Sequence, residues 1–191
     1  MKGGKWLWAV LLLAGCAAMS GVNVSERDAR MADIKTRLAL AYMNAGDYRN
    51  ATDNIEAAVR FDRNSSTAWL VRAQIYQYLN LNNKAQESFD RALALQPNSA
   101  EINNNYGWFV CNSLNRPEAA LPHFNKALAD PTYPTPHIAY LNKGICSGRM
   151  GLAAEAEQAL KQALALRPDF AAAQAALLQI QTASEHGAER K

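Results

Sequence analysis

The sequence has none of the short motifs that carry catalytic chemistry. It contains no histidine pair at zinc-protease spacing, no phosphate-cradling loop, no glycine-rich dinucleotide turn and no nucleophile elbow. Histidine is scarce. His123, His137 and His186 are the only three in 191 residues, and none has a partner at ligand spacing, so each reads as a surface or packing residue. Acid pairs such as Glu155 and Glu157 stand two apart, which on a helix points them to different sides. No catalytic residue, metal, cofactor or small-molecule substrate is therefore expected. A surplus of one charge is also missing. There are 20 basic and 17 acidic residues; without Lys2 and Lys5, which sit in a leader described next, the balance is nearly neutral. That excludes the basic footprint of a nucleic-acid partner. No apolar run reaches the roughly 20 residues that a membrane-spanning helix requires.

The short apolar run at 6–14 follows two lysines and no acid, which gives the n-region and h-region of an export signal. Leu13-Ala14-Gly15-Cys16 then resembles the lipobox of bacterial lipoproteins. There a cysteine thiol is alkylated with diacylglycerol, the chain is cut before it, and the new amino group is acylated. Cys16 is the expected lipidation site and first mature residue. Small residues before the cut let the backbone enter the peptidase, and several acyl chains, each methylene contributing about 0.8 kcal/mol, give stable anchorage. Ala17 follows the cysteine in place of the Asp that resembles an inner-membrane retention signal. The expected address is the periplasmic face of the outer membrane. Residues 1–15 are thus read as a signal peptide, 16–25 as a small, polar lipidated tether, 26–183 as the folded domain and 184–191 as a flexible tail.

Internal repetition decides the fold. Trp69, Ala73, Tyr76, Ala85, Phe89, Ala92 and Pro97 fall at the spacings of the tetratricopeptide repeat (TPR). Ala39, Tyr42, Ala51, Ile55 and Ala58 repeat the pattern 34 residues earlier. A third unit has Gly107, Ala120, Phe124, Ala127 and Pro131, displaced by one residue in its central turn. A fourth has Gly144, Ala156, Leu160, Ala163 and Pro168, displaced by two more after the proline-rich stretch 131–136. Small residues at Ala39, Ala73, Gly107 and Gly144 and at Ala51, Ala85, Ala120 and Ala156 let paired helices approach closely, and the bulky residue four positions after the second set fills the groove beside them. Prolines end the second helices. The expected fold is all-α, a TPR solenoid of four helix-turn-helix repeats (about 32–65, 66–99, 100–136 and 137–170) and a C-terminal capping helix at 169–183, which shields the last apolar face. Helices are predicted at 26–45, 48–62, 65–79, 82–95, 99–113, 116–129, 135–149, 152–166 and 169–183.

With Cys16 lipidated, Cys111 and Cys146 remain, near the ends of first helices in consecutive repeats. An even pair in an oxidising compartment reads as a disulfide; two buried thiols acting as small apolar residues are the alternative. Binding is expected on the concave face, where the first helices line a groove. Counting outward from the small packing residues, the candidates are Leu40, Met43, Leu70, Gln74, Tyr78, Asn104, Trp108, Leu141 and Ile145. Such an aromatic-aliphatic strip suits an amphipathic helix or extended peptide, the alternative being that several of these side chains pack between helices.

The segments Asn103-Asn104-Asn105-Tyr106-Gly107-Trp108-Phe109-Val110-Cys111, Ala127-Leu128-Ala129-Asp130-Pro131-Thr132-Tyr133-Pro134-Thr135-Pro136 and Asn142-Lys143-Gly144-Ile145-Cys146 resemble the type IV pilus biogenesis and stability lipoproteins of the PilF/PilW family. The resemblance implies an outer-membrane TPR lipoprotein, a pilotin in some members, whose partner is the pilus secretin or another pilus-assembly protein. It implies a role in secretin localisation and multimerisation or in fibre stability. The chain has four readily aligned units where longer relatives have more. The other reading is an adaptor that recruits cell-wall hydrolases or other envelope enzymes; normal pili with altered wall turnover would mark it.

Overall fold

The computed structural model describes the backbone of residues 15–188 and the side-chain surroundings of residues 25–185. Among these residues the chain is all helical. α1 spans Gly15–Asn44, α2 Tyr48–Phe61, α3 Ser66–Tyr78, α4 Asn82–Leu95 and α5 Ala100–Trp108. A π-helical turn at Phe109–Ser113 continues α5, and α6 (Pro117–Leu128), α7 (Pro136–Arg149), α8 (Ala153–Leu166) and α9 (Ala171–Ala188) follow. α1 starts well before the expected position 26, and α9 runs past the expected end at 183. The side chain of Cys16, with the rest of the leader, lies outside the described residues. The chain divides into two compact units at Ala68/Trp69, within α3.

In the first unit α1 packs on α2. Ala32, Thr36 and Ala39 from α1 are buried, as are Ala51, Ile55 and Ala58 from α2. These positions recur every three or four residues, the spacing that puts them on one face of a helix. Thr36 satisfies its hydroxyl by donating to the Ala32 carbonyl at 2.8 Å. Gly46, at φ +77°, reverses the chain. With it the Asp47 amide reaches back to the Tyr42 carbonyl at 2.9 Å, closing the end of α1 as a left-handed C-cap does. Asp47 then opens α2 by accepting from the Asn50 amide at 3.0 Å, and that backbone bond, aided by the Asn50 side chain, holds its carboxyl below the usual range.

The same turn recurs in every repeat. The four described residues with positive φ are Gly46, Asn80, Asn115 and Gly151. All are glycine or asparagine, the residue types that enter the left-handed region most readily. Each ends the first helix of its hairpin. Their spacings of 34, 35 and 36 residues report where the repeats depart from uniform length. The extra residue in the third repeat is not in the connecting turn. It is taken up inside the first helix by the π-helical turn at Phe109–Ser113, the form in which a single inserted residue enters an α-helix. The two further residues lie in the join between α6 and α7.

In the second unit the core is built from Ile75, Phe89, Phe109, Phe124 and Leu160, all with no exposed surface. The Phe89 and Phe109 rings meet at 5.1 Å. Gly107 and Gly144 are small because of their neighbours. A Cβ on Gly107 would stand 2.9 Å from the Phe124 ring, and one on Gly144 would stand 2.7 Å from Leu160 Cγ. α9 closes the series by packing on both α7 and α8, with Ala173 buried beside Leu141, Leu160 and Ala163.

Candidate partner-binding groove

Three consecutive asparagines at the start of α5 show how the repeats are tied together. Successive helix positions turn by about 100°, so the three side chains leave in three directions. Asn103 is buried and donates to the carbonyls of Pro97 at 3.0 Å and Ser99 at 2.8 Å. With its amide nitrogen so used, its carbonyl oxygen accepts from His123 Nδ1 at 3.1 Å. That fixes the proton of neutral His123 on Nδ1. Burial, with the nearby Lys126 charge, lowers the His123 pKa from its ordinary value of 6.5. Asn104 turns to the fourth repeat and accepts from Asn142 at 3.1 Å. Asn105 turns to the second repeat and accepts from Gln74 at 2.9 Å. Amides suit this task because each carries donor and acceptor on one short side chain.

At the other end of α5 the π-helical turn presents Cys111 to α7. Cys111 and Cys146 are both fully buried and are joined by a disulfide, with Cα atoms 6.1 Å apart across a separation of 35 residues. The same turn frees backbone acceptors that an α-helix would use. Val110 O is taken by the Arg116 amide at 3.0 Å. Cys111 O is taken by Arg149 Nη1 at 3.2 Å, while Arg149 Nη2 donates to Asn112 Oδ1 at 2.9 Å. The guanidinium so held stands 5.9 Å from the centre of the Trp108 ring, within cation–π range. Disulfide, π-turn and Arg149 together fix Trp108 at the seam between the third and fourth repeats.

The expected groove residues separate by register. Leu70, Asn104 and Leu141, each three residues before the small residue of its first helix, are buried, with 3, 4 and 8 % of their surface exposed. They are corrected from groove-lining to packing positions. Leu141 joins the cluster against α8 and α9, and Asn104 spends its carbonyl on Asn142. In α5 and α7 this register faces the helices of the following pair, as the Asn104–Asn142 bond and the Leu141 cluster show. Leu40, Gln74, Trp108 and Ile145, each one residue after the small residue, are half-buried. Ile145 leans on the α7–α9 cluster. Met43 is also half-buried, and Tyr78, five residues after Ala73, is 65 % exposed. Arg149 stands five after Gly144, the register of Tyr78, yet the sequence reading passed over it. Counting by the position that picked out Tyr78 would have found it.

His137 stacks edge-on against Phe170 at 5.2 Å, a packing contact. Among the described residues no three His, Cys, Asp or Glu side chains are grouped as a metal site would need, and no helix is long and apolar enough to cross a membrane.

Comparison with known proteins agrees with this architecture. The tetratricopeptide repeat family matches residues 36–77, 70–134 and 112–169. The crystal structure of PilW, described as a widely conserved type IV pilus biogenesis factor, superposes with a TM-score of 0.79 at 55 % identity, covering 81 % of this chain and 70 % of that one. The type IV pilus assembly protein PilF of Pseudomonas aeruginosa is 28 % identical over 157 residues, which is 81 % of this chain but 62 % of PilF. The chain therefore spans less than two thirds of that relative. The solved structure of P. aeruginosa PilF matches at a TM-score of 0.77 and 24 % identity, covering 83 % of this chain and 71 % of that one, a likeness of fold. By its repeats and by its identity to PilW, the chain belongs to the tetratricopeptide repeat proteins and, among them, to the PilW/PilF family of type IV pilus biogenesis proteins.

Proposed function

We propose that this protein is a lipid-anchored assembly factor of the outer membrane that catalyses nothing and binds a pilus protein, the secretin or another assembly component, along the first helices of its repeats. The identity to a pilus biogenesis factor, 55 % over most of the chain, is the observation that carries the reading. A disulfide and a bound guanidinium hold one half-buried indole in place. A rigid aromatic with part of its face uncovered is the kind of residue that anchors an interface, because ordering it costs little entropy and covering it removes apolar area from water. Cys16 would carry the acyl chains and Ala17 would permit export to the outer membrane, so the domain would work at the periplasmic surface where a secretin is assembled.

Deletion and complementation test this reading. Loss of the gene should abolish surface pili and leave the secretin monomeric or away from the outer-membrane fraction; the wild-type chain should restore both. Normal piliation and normal secretin multimers in the deletion strain would overturn it.

A further inference from the structure

The two helices of each hairpin are bridged at one recurring place, and what stands there changes from repeat to repeat. In the first repeat Lys35 donates to Asn54 at 3.0 Å. In the second Arg72 donates to Ser88 at 2.7 Å, and its guanidinium lies 5.2 Å from the centre of the Trp69 ring and 4.8 Å from that of Tyr76. In the third His123 and Asn103 are bonded at 3.1 Å. Asn54, Ser88 and His123 each follow the small alanine of the second helix by three residues, and in the fourth repeat that place belongs to Ala159. A methyl group cannot bridge. The rest of the place has changed with it: set against the second repeat, Tyr140 stands for Trp69, Lys143 for Arg72, Ser147 for Tyr76, Glu155 for Lys84 and Gln162 for Arg91. Lys143 turns its ammonium to Asn125 of α6 at 2.7 Å. What is left is a cleft of about 310 Å³ between α7 and α8, lined by Tyr140, Lys143, Glu155, Gln158, Ala159 and Gln162. That volume lies at the lower end of the range of ligand sites.

The second repeat displays the chemistry that fills such a place. There the Arg72 guanidinium lies against an aromatic ring, and that of Arg91 stands 5.9 Å from the same ring of Trp69. The fourth repeat keeps a half-buried ring, Tyr140, and supplies neither guanidinium. It also reverses one charge. Lys84 stands 5.1 Å from the Tyr76 ring, whereas Glu155 brings a carboxylate that has no hydrogen bond or ion pair among the described residues. The side-chain amides of Gln158 and Gln162 are likewise without partners among the described residues. Lys143 is the only cation of the six lining residues, and it is engaged by Asn125 and not by Glu155. We infer that this cleft receives an arginine side chain of a partner protein, its guanidinium stacked on Tyr140 and donating to Glu155 and the glutamine amide oxygens. Arginine is chosen over lysine because its planar fork stacks on a ring and reaches several acceptors at once, while an ammonium is a compact, strongly hydrated point charge. The contact is separate from the first-helix face proposed above, since Tyr140 leaves α7 roughly 140° from Ile145.

The test titrates the purified protein, labelled with ¹⁵N, with acetyl-arginine-amide and with its lysine and citrulline counterparts, citrulline being a neutral side chain of nearly the same shape. Arginine should shift the Ala159 backbone amide and the side-chain amides of Gln158 and Gln162, and bind at least about fivefold more tightly than either other probe. Glu155→Gln should weaken arginine by a similar factor, since a charge-assisted bond is gone. Lys143→Arg combined with Ala159→Ser rebuilds in the fourth repeat the pair formed by Arg72 and Ser88. That variant should melt no lower than wild type and lose the arginine shifts, because the cleft is then filled from within. Equal binding of citrulline, or arginine binding that survives the double substitution, would overturn the inference. Equal binding of lysine would overturn the choice of arginine, and shifts with N-acetylglucosamine but none with arginine would assign the cleft to a saccharide. A concentration-dependent dimer that Glu155→Gln abolishes would put the arginine on a second copy and overturn its assignment to a partner. Trp108→Ala, which alters the first-helix face, should leave arginine binding unchanged, so that failure of that reading is told apart from failure of this one.

Discussion

Replacing Gly144 with Ala tests whether close helix approach governs this fold, because two effects of known size oppose each other there. In an exposed helix the change stabilises by about 1 kcal/mol, since alanine loses less backbone freedom than glycine. At Gly144 the new methyl would stand 2.7 and 2.9 Å from two carbons of Leu160 and 3.2 Å from the Ala156 carbonyl oxygen. Leu160 is fully buried, so its carbons have nowhere to retreat, and the carbonyl belongs to the paired helix. Overpacking of a filled core costs roughly 1–3 kcal/mol. The clash outweighs the propensity gain, and α7 must move away from α8. Gly148→Ala is the control. Its methyl would meet the tip of Ile180 at 2.5 Å, but Ile180 is only half-buried and borders an open cleft between α7 and α9, so it can turn aside. We expect Gly144→Ala to lower the melting temperature, followed by circular dichroism, by about 2–4 °C for each kcal/mol lost, and Gly148→Ala to leave it unchanged or raise it slightly, the propensity gain being opposed only by the turning of the Ile180 tip. A rise in melting temperature with Gly144→Ala would refute the reasoning, because the propensity gain would then have won.

Three other expectations follow from the geometry. Serine at both Cys111 and Cys146 should leave the helical spectrum intact but cost roughly 3–4 kcal/mol, as the chain-entropy argument gives for a loop of this length; free thiols at both positions in exported protein would contradict the structure. His123 has its pKa lowered by burial, so the unfolded chain binds its proton first and stability should fall as pH drops below about 6.5. His123→Asn should flatten that slope, and an unchanged slope would remove His123 as its source. Cys16→Ala should release the protein from the membrane fraction or leave it uncleaved; continued sedimentation with outer membranes in detergent-free extract would show that the anchor lies elsewhere.

Periodicity made the repeats legible because each small residue has a steric cause. Ala39, Ala73, Gly107 and Gly144 stand out by spacing alone, and the structure shows what a larger side chain would strike at the two glycines. The third repeat's extra residue was legible as a length change, yet its location was not, since an added residue in a turn and one absorbed by a π-turn leave the same offset. The groove was the least legible part. Spacing says that Leu70, Asn104 and Leu141 share a face with Trp108, but how far the next first helix overlaps that face depends on three-dimensional stacking. Asn104 illustrates it: a polar residue expected in the groove is 4 % exposed because Asn142 of the next repeat satisfies it. Arg149 was passed over because a lone arginine at a helix end has an ordinary meaning, interaction with the helix dipole. Its value here comes from the π-turn carbonyl to which it donates.

The most direct test of the whole account is Trp108→Ala, measured for stability and piliation in the same strain. Trp108 follows Gly107 by one residue, so it turns about 100° from the paired helix toward the face shared with Gln74 and Ile145. It is half-buried, whereas Phe109 beside it is wholly buried. Truncating an interface anchor costs at least about 2 kcal/mol of binding, some thirtyfold in affinity. The account predicts a folded, disulfide-bonded protein at normal abundance, with a melting temperature close to wild type, that no longer supports pili or captures the secretin. Normal piliation with Trp108→Ala, or a loss of stability as large as that expected of Gly107→Leu, whose side chain would be driven into the Phe124 ring, would show that the indole only packs and that partners bind elsewhere.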